Sequence, residues 1–418
     1  MMLTLRILGL GMRAYHGLVS LVGLYNHRAK AITSGQRAAI PQVSAWRKAN
    51  PDAQVLWMHV ASLGEFEQGR PVLERFKSQF PEAKVVLTFY SPSGYEVRKN
   101  YTGADLITYL PLDTPQIMET WCSILQPQLM ALVKYEVWPN MLMALGRHQI
   151  PVVMFAAKFY ETQRFFGVYK SFWKGILNQV TFFHVQDQAS EKLLRGLGMS
   201  AIAVSGDTRY DRVVEVAARA QVAERYLQWK SNQLVVIIGS SYAFEEEAVA
   251  GIIREYPQVK WVIAPHHIDE MNIQRIEKLY PGRTQRATEE IIRNETQVLL
   301  LNTMGDLGGL YKLGEIAVVG GGWGKGIHNI LEPAAHGCAV IWGPRAQKFT
   351  EAQYLASEGG GLQVGTESAL QQQLERLISQ ENERRSMGDK ALEVVKKQAG
   401  ASVKVLKTIA ENWGRKKS

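Results

Sequence analysis

Short apolar, β-branched runs alternate with longer helical patterns along almost the whole chain, and this alternation constrains the fold more than any single motif. Val55–Val60, Lys84–Phe89, Leu129–Val133, Val152–Ala156 and Phe182–Gln186 predict strands of a first half. Val235–Gly239, Val259–Ala264, Val298–Leu301, Ile316–Gly320 and Ala339–Gly343 predict strands of a second. Runs this apolar have no face to show water, so they belong in parallel sheets covered by helices on both sides, an α/β doubly wound design. The polar, poorly periodic stretch between Gly206 and Gln233 marks the seam. The length of 418 residues suits two domains, and a hydrophobic fraction of 46% supplies two cores.

The formal net charge is +9, which suits an anionic membrane surface, an acidic substrate or nucleic acid. The two cysteines, Cys122 and Cys338, sit in apolar contexts, which argues against a disulfide framework or a zinc site and for a reducing cytoplasm. Near the N-terminus Leu8, Met12, Tyr15, Val19 and Val22 repeat at helical spacing, while Arg6, Arg13, Ser20 and His27 recur every seventh residue on another face. Arg28, Lys30 and Arg37 follow. A spanning helix needs ~20 uninterrupted apolar residues, so the pattern predicts a helix lying in the membrane interface with its arginines at the headgroups and its basic flank on the cytoplasmic side. A spanning anchor and a plain soluble helix stay open. Ala29-Lys30-Ala31 imitates a signal-peptide cleavage site, but its surroundings are basic and the apolar core is short. The charged helical pattern from Glu383 to Lys417 reads as a solvated face with a basic tail.

Ligands of open parallel sheets bind at the carboxyl ends of strands, and the polar motifs fall there. Gly320-Gly321-Gly322-Trp323-Gly324-Lys325-Gly326-Ile327-His328-Asn329-Ile330-Leu331-Glu332-Pro333 follows one strand and runs into a predicted helix over Asn329–Gly337. Such a loop offers backbone N–H groups and a positive helix end to an anion. Glu332, about one turn into the helix, can bind two ribose hydroxyls; tight packing alone is the competing reading of the glycines. After the first strand, Ser62 and Gly64 predict a tight turn, with Glu65 near a helix start as a dipole partner or a general base. Lys134-Tyr135-Glu136-Val137-Trp138 ends another strand. Glu136 is either half of an ion pair or a substrate group beside Glu65. Arg209 and Arg212 can bind carboxylate or phosphate, or pair at the surface with Asp207 and Asp211. Ser240 and Ser241 suit a phosphate or acidic sugar. Pro265-His266-His267 lacks a third ligand at metal spacing. Met304-Gly305-Asp306 can line the same cleft, and no Asp-x-Asp pair is present to carry a divalent metal.

Taken in order, seven motifs converge. Ala61-Ser62-Leu63-Gly64-Glu65, Tyr135-Glu136-Val137-Trp138-Pro139-Asn140, Gly206-Asp207-Thr208-Arg209-Tyr210-Asp211-Arg212, Gly239-Ser240-Ser241, Pro265-His266-His267, Thr303-Met304-Gly305-Asp306-Leu307 and Gly326-Ile327-His328-Asn329-Ile330-Leu331-Glu332-Pro333-Ala334-Ala335 resemble, over nearly the whole chain, the 3-deoxy-D-manno-octulosonic acid (Kdo) transferases of lipopolysaccharide synthesis. The resemblance implies a GT-B glycosyltransferase: two Rossmann-like domains facing a cleft, preceded by a membrane-associated helix at 1–27. An acceptor domain at 28–210 and a CMP-sugar domain at 211–418 follow, the last helix returning to the first domain. It implies inverting transfer of Kdo from CMP-Kdo to a lipid A precursor (lipid IVA) on the cytoplasmic face of the inner membrane. Neither a cofactor nor an essential metal is implied, and no nucleic acid partner. Glu65 corresponds to the general base and Glu136 to a second active-site carboxylate. Ser62, Gly64 and Arg209 fall on the acceptor or cleft side. Ser240, Ser241, Pro265, His266, His267, Met304, Gly305, Asp306, Gly321, Gly322, Lys325, Gly326, His328, Asn329 and Glu332 fall on the donor side, with Glu332 on the ribose. His266 stands where the family has arginine, and Ile327 replaces a second glycine. Two other readings compete: a GT-B transferase using a UDP-sugar on a lipid-linked acceptor, and a non-enzymatic membrane-surface protein that binds an acidic sugar or nucleotide.

Overall fold

The structure, a computed structural model, describes residues 2–415, with side chains from residue 8 onward, so the Arg6 side chain and the last basic residues lie outside the described set. Two compact units emerge. One comprises the chain up to Arg212 together with the segment from Gly400, and the other comprises Val213–Ala399.

The first unit is built on seven parallel strands: β1 Val55–Val60, β2 Lys84–Phe89, β3 Leu106–Tyr109, β4 Leu129–Val133, β5 Val152–Ala157, β6 Phe182–Val185 and β7 Ile202–Val204, in the order 3-2-1-4-5-6-7. The second has β8 Val235–Ser241, β9 Lys260–Pro265, β10 Thr284–Arg286, β11 Val298–Leu300, β12 Ile316–Val319, β13 Ala339–Trp342 and β14 Gly361–Gln363, in the order 10-11-9-8-12-13-14. Every residue of β1, β4, β9, β12 and β13 is buried, because helices cover both faces. In each sheet the first strand lies beside a later one. Leu56–His59 of β1 pair with Leu129–Leu132 of β4, and Val236–Gly239 of β8 pair with Ile316–Val319 of β12. These are the points where strand order reverses.

The N-terminal segment departs from the predicted layout. A helix covers Met2–Val22, the chain turns, and Asn26 caps a second helix, His27–Ala49, through bonds from the Arg28 and Ala29 N–H groups. No described helix is long and apolar enough to cross a membrane. The first helix docks through Gly9, whose missing Cβ would come within 2.9 Å of Pro115, and through His16, whose ring nitrogen lies 3.1 Å from the Gln36 side-chain oxygen. Arg13 donates to Gln116, and Arg37 donates to Ser20 at 3.1 Å. The face expected to carry arginine to headgroups therefore holds the helix to its own unit. What points outward is apolar: Leu10, Leu18 and Leu21 are about two-thirds exposed and Tyr25 almost wholly so.

Asp211 was read as a candidate surface ion-pair partner, but it is buried and organises the return of the chain. Its carboxylate accepts bonds from the Gly400 N–H (3.0 Å), the Ser402 N–H (3.3 Å) and the Ser402 hydroxyl (2.8 Å), at the start of helix Ala401–Asn412. That helix buries Val405 and Ile409 against the first sheet's core, and Trp413 beyond it packs on Phe76 with ring centroids 4.9 Å apart. Asp211→Ala leaves these donors unpaired, and we expect a loss of roughly 2–4 kcal/mol, seen as a fall in melting temperature and faster amide exchange across 401–412. Unchanged exchange there would show that packing alone holds the helix.

Candidate active site

Glu65 occupies the third position of helix Leu63–Gln79, which Ser62 caps through the Glu65 N–H at 3.5 Å. The Glu65 Oε2 reaches back to accept from the Ala61 N–H, while Oε1 faces the Lys134 ammonium at 4.0 Å. Gly64 is not a turn residue. It sits inside the first helical turn, where an added Cβ would meet nothing within 4 Å.

Lys134, the residue after β4, adopts φ 59°, a left-handed conformation that non-glycine residues rarely hold. The turn it makes delivers Glu136 close enough to Glu65 for the two charges to repel. Burial first, and Glu65 second, push the Glu136 carboxyl up to about 7. The Trp138 indole N–H at 3.1 Å, Lys134 and Arg164 oppose that shift. Glu65 is also raised by burial, against the Ala61 N–H, Lys134 and Ser62. A cavity of about 380 Å³ opens on Glu136, with Tyr135, Trp138 and Arg164 among its walls. Tyr90 packs on Trp138 at a tilt with ring centroids 5.0 Å apart and is hydrogen-bonded to Tyr15 of the first helix. Arg209 is held elsewhere: its guanidinium binds Asp207 at 2.8 and 2.9 Å, and Gln68 also donates to that buried carboxylate.

In the second unit, Ser240 has φ 52° and the β8–β9 register slips around it. Ser241 is turned inward, donating to the buried Glu246 at 2.7 Å, so its hydroxyl is not offered to a ligand. Tyr242, which sequence reasoning passed over, gathers the histidines. Its ring stacks on His266 at 5.0 Å and His328 at 5.7 Å and meets His267 edge-on at 6.0 Å. Its hydroxyl and the His328 Nε2 lie 3.1 Å apart. Burial, then the neighbouring imidazole, lowers both His266 and His328. His266 and His267 follow Pro265, the last residue of β9, and remain exposed.

The glycine loop differs from the expected open anion cradle. The Gly321 N–H donates to Glu245 at 2.8 Å, and the Gly324, Gly326 and His328 N–H groups donate to carbonyls of the loop itself. The helix that follows is only Leu331–Ala335, with Glu332 at its second residue rather than one turn in. Asn329 and Glu332 do meet, with the Asn329 amide donating at 2.9 Å. Lys325 is exposed. Asp306 precedes helix Leu307–Leu310 and accepts from Thr303 at 2.5 Å, while Met304 and Gly305 lie exposed in the same turn. Among the described residues, no group of three or more His, Cys, Asp or Glu side chains can hold a metal ion.

Two predictions follow from this geometry. In a carboxyl-carbon NMR titration Glu136 should lose its proton near pH 7, and Trp138→Phe, which removes a donor to the ionised form, should move the midpoint upward; a downward move would contradict the assigned contact. Within the loop, a Cβ on Gly322 would lie 2.5 Å from the Gly343 nitrogen, whereas one on Gly324 would meet only the Gly321 oxygen at 3.5 Å. Gly322→Ala should therefore cost about 1–3 kcal/mol and lower the melting temperature by several degrees, with Gly324→Ala nearly silent.

A family profile described as 3-deoxy-D-manno-octulosonic-acid transferase (kdotransferase) matches residues 34–212. The 3-deoxy-D-manno-octulosonic acid transferase of Haemophilus influenzae is 27% identical over 369 residues, 85% of this chain and 86% of that protein. Its namesake in Aquifex aeolicus is 25% identical over 335 residues, 78% and 87% of the two chains. Solved structures share the fold. The UDP-GlcNAc 2-epimerase of Neisseria meningitidis superposes with TM-score 0.61 at 15% identity over 86% of this chain and all of that one. Acinetobacter baumannii MurG gives TM-score 0.57 at 15% identity, again over 86% of this chain and all of that one. With its two parallel α/β sheets the chain has the GT-B architecture, and over residues 34–212 it matches the 3-deoxy-D-manno-octulosonic acid transferase family of glycosyltransferases.

Proposed function

We propose that the chain transfers Kdo from CMP-Kdo to a hydroxyl of a lipid A precursor, with inversion at the anomeric carbon, at the cytoplasmic face of the inner membrane. The observation that carries this reading is the pair Glu65 and Glu136, a buried and a half-buried carboxylate placed by adjacent strands, the second raised to about 7. A general base works best when its pKa lies near the operating pH, and the pair holds one readily exchanged proton there. Glu65 takes the proton of the acceptor hydroxyl through Oε1, since Oε2 is held by Ala61. Glu136 is the second carboxylate, facing the acceptor from the cavity it lines.

The second unit takes the donor. Glu332, oriented by Asn329, binds the ribose, and the rings of His266, His267 and His328 with Lys325 receive the single phosphate. The leaving cytidine monophosphate develops a charge that these donors stabilise, so this reading calls for no metal. The outward Leu10, Leu18 and Leu21 of the first helix and Tyr25 of the turn after it, on a chain of net charge +9, suit an anionic bilayer surface.

Incubation with CMP-Kdo, generated in place, and tetra-acylated lipid A precursor should yield products heavier by one or more Kdo units by mass spectrometry. No gain with an active donor and folded protein would move the reading to another donor or acceptor. Glu65→Ala should reduce transfer by about 10²–10⁴-fold while CMP affinity stays within about twofold of the unaltered chain. Loss of CMP binding would sink the assignment of Glu65 as base.

A further inference from the structure

A second cavity of the first unit, about 740 Å³, lies between the N-terminal helix and the helices Pro115–Leu125 and Pro139–Arg147. Leu10, Pro115 and Met143 give it apolar walls. Arg13, Arg147 and Glu119 stand around it. Arg13 donates to the neutral Gln116, and Arg147 and His148 both engage Glu119, so two guanidinia stand against one carboxylate and the rim is positive.

One wall of the groove is the helix whose outer face is exposed and apolar, so the groove is continuous with the surface assigned above to the bilayer. Its floor is the helix that Trp138 begins, and Trp138 donates to Glu136. From Asn140 to Arg147 this floor runs roughly 10 Å at 1.5 Å per residue, starting four residues after Glu136. A soluble sugar has no use for such walls. A lipid acceptor needs a place for hydrocarbon next to the hydroxyl that reacts.

We propose that this groove holds an acyl chain of the acceptor, with Arg13 and Arg147 attracting its phosphorylated headgroup. The proposal rests on the lipid-acceptor reading above. Each methylene that leaves water is worth about fourfold in affinity, so a few buried methylenes separate an acylated acceptor from its stripped counterpart. The choice among acceptors then lies in this groove as well as in the carboxylate site.

The test measures binding by native mass spectrometry of the full chain released from detergent. The probes are tetra-acylated lipid A precursor and the same bis-phosphorylated disaccharide without acyl chains. The unaltered chain should retain one acylated molecule and at least tenfold less of the stripped one. Met143→Trp, which fills the groove, should lower retention of the acylated probe tenfold or more. Thr120→Trp, at an exposed position on the helix Pro115–Leu125 that forms the adjoining wall, gives the same reading should Met143→Trp fail to fold. Equal retention of the acylated probe by the unaltered and both tryptophan variants overturns the groove, as does equal retention of the two probes. Binding that behaves as expected without Kdo transfer would instead sink the transferase reading and leave the groove standing.

Discussion

Everything polar in this molecule hangs on the reversal of strand order beside the first strand of each sheet. A parallel strand must return by a crossover, and crossovers in one sheet share a hand. A sheet that grows outward in both directions from its first strand therefore sends its connections to opposite faces, and the loops part at that point. In the first unit the parting lies between β1 and β4, and Glu65 and Glu136 are carried by the segments that leave those strands. In the second it lies between β8 and β12, and the same holds for Tyr242 and the glycine loop with His328. The fully buried strands below give these loops a rigid base.

That base bears strain where the loops begin. Lys134 after β4, Ala156 in β5 and Ser240 in β8 all hold left-handed φ near 50–60° without being glycine. Each such residue costs about 1–3 kcal/mol and persists only where its surroundings over-determine it. The parallel ladders slip register around Ala156 and Ser240. At Lys134 the result is chemical, since the kink sets the ammonium and Glu136 on the same side as Glu65. Glycine at these positions would relax the turn and loosen what it aims.

Reading the sequence located ten of the fourteen strands, and the four it missed are the sheet edges: β3, β7, β10 and β14. Central strands are buried on both faces and must be apolar throughout. Thr284-Gln285-Arg286 and Gly361-Leu362-Gln363 are only partly buried and need no such pattern, so no pattern marks them. The site shows the same division. Residues at strand ends announced themselves by polarity, and the structure joins Glu65 with Glu136, Asn329 with Glu332, and the three histidines. Sequence could not say which polar groups were already satisfied within the fold. Ser241 answers Glu246, Arg209 answers Asp207 and Gly321 answers Glu245. Glu245 lies 76 residues before Gly321, and periodicity carries no trace of such a pairing, whereas an Arg209–Asp207 pair is one of two readings the sequence offers, and its Asp207 side is buried rather than at the surface. Tyr242 gave no signal because an aromatic after a strand looks like core.

The two carboxylates show how environment divides one chemistry into two roles. Burial raises both, yet the buried Glu65 has the Ala61 N–H, the Ser62 cap and Lys134 on its ionised form, while the half-buried Glu136 has the Trp138 indole and the charges of Lys134 and Arg164. Ionising Glu65 first makes the second ionisation harder, which is why the Glu65 charge stands second only to burial in raising Glu136. Near neutrality Glu136 is close to its midpoint, so its proton exchanges readily. In the proposed transfer Glu65 becomes neutral when it takes the acceptor proton. The repulsion on Glu136 then falls, its ionisation becomes easier, and the charge of the buried pair changes little as the reaction proceeds. A single buried carboxylate would have to gain and lose its whole charge in the same low-dielectric space, and the second one spares the fold that swing.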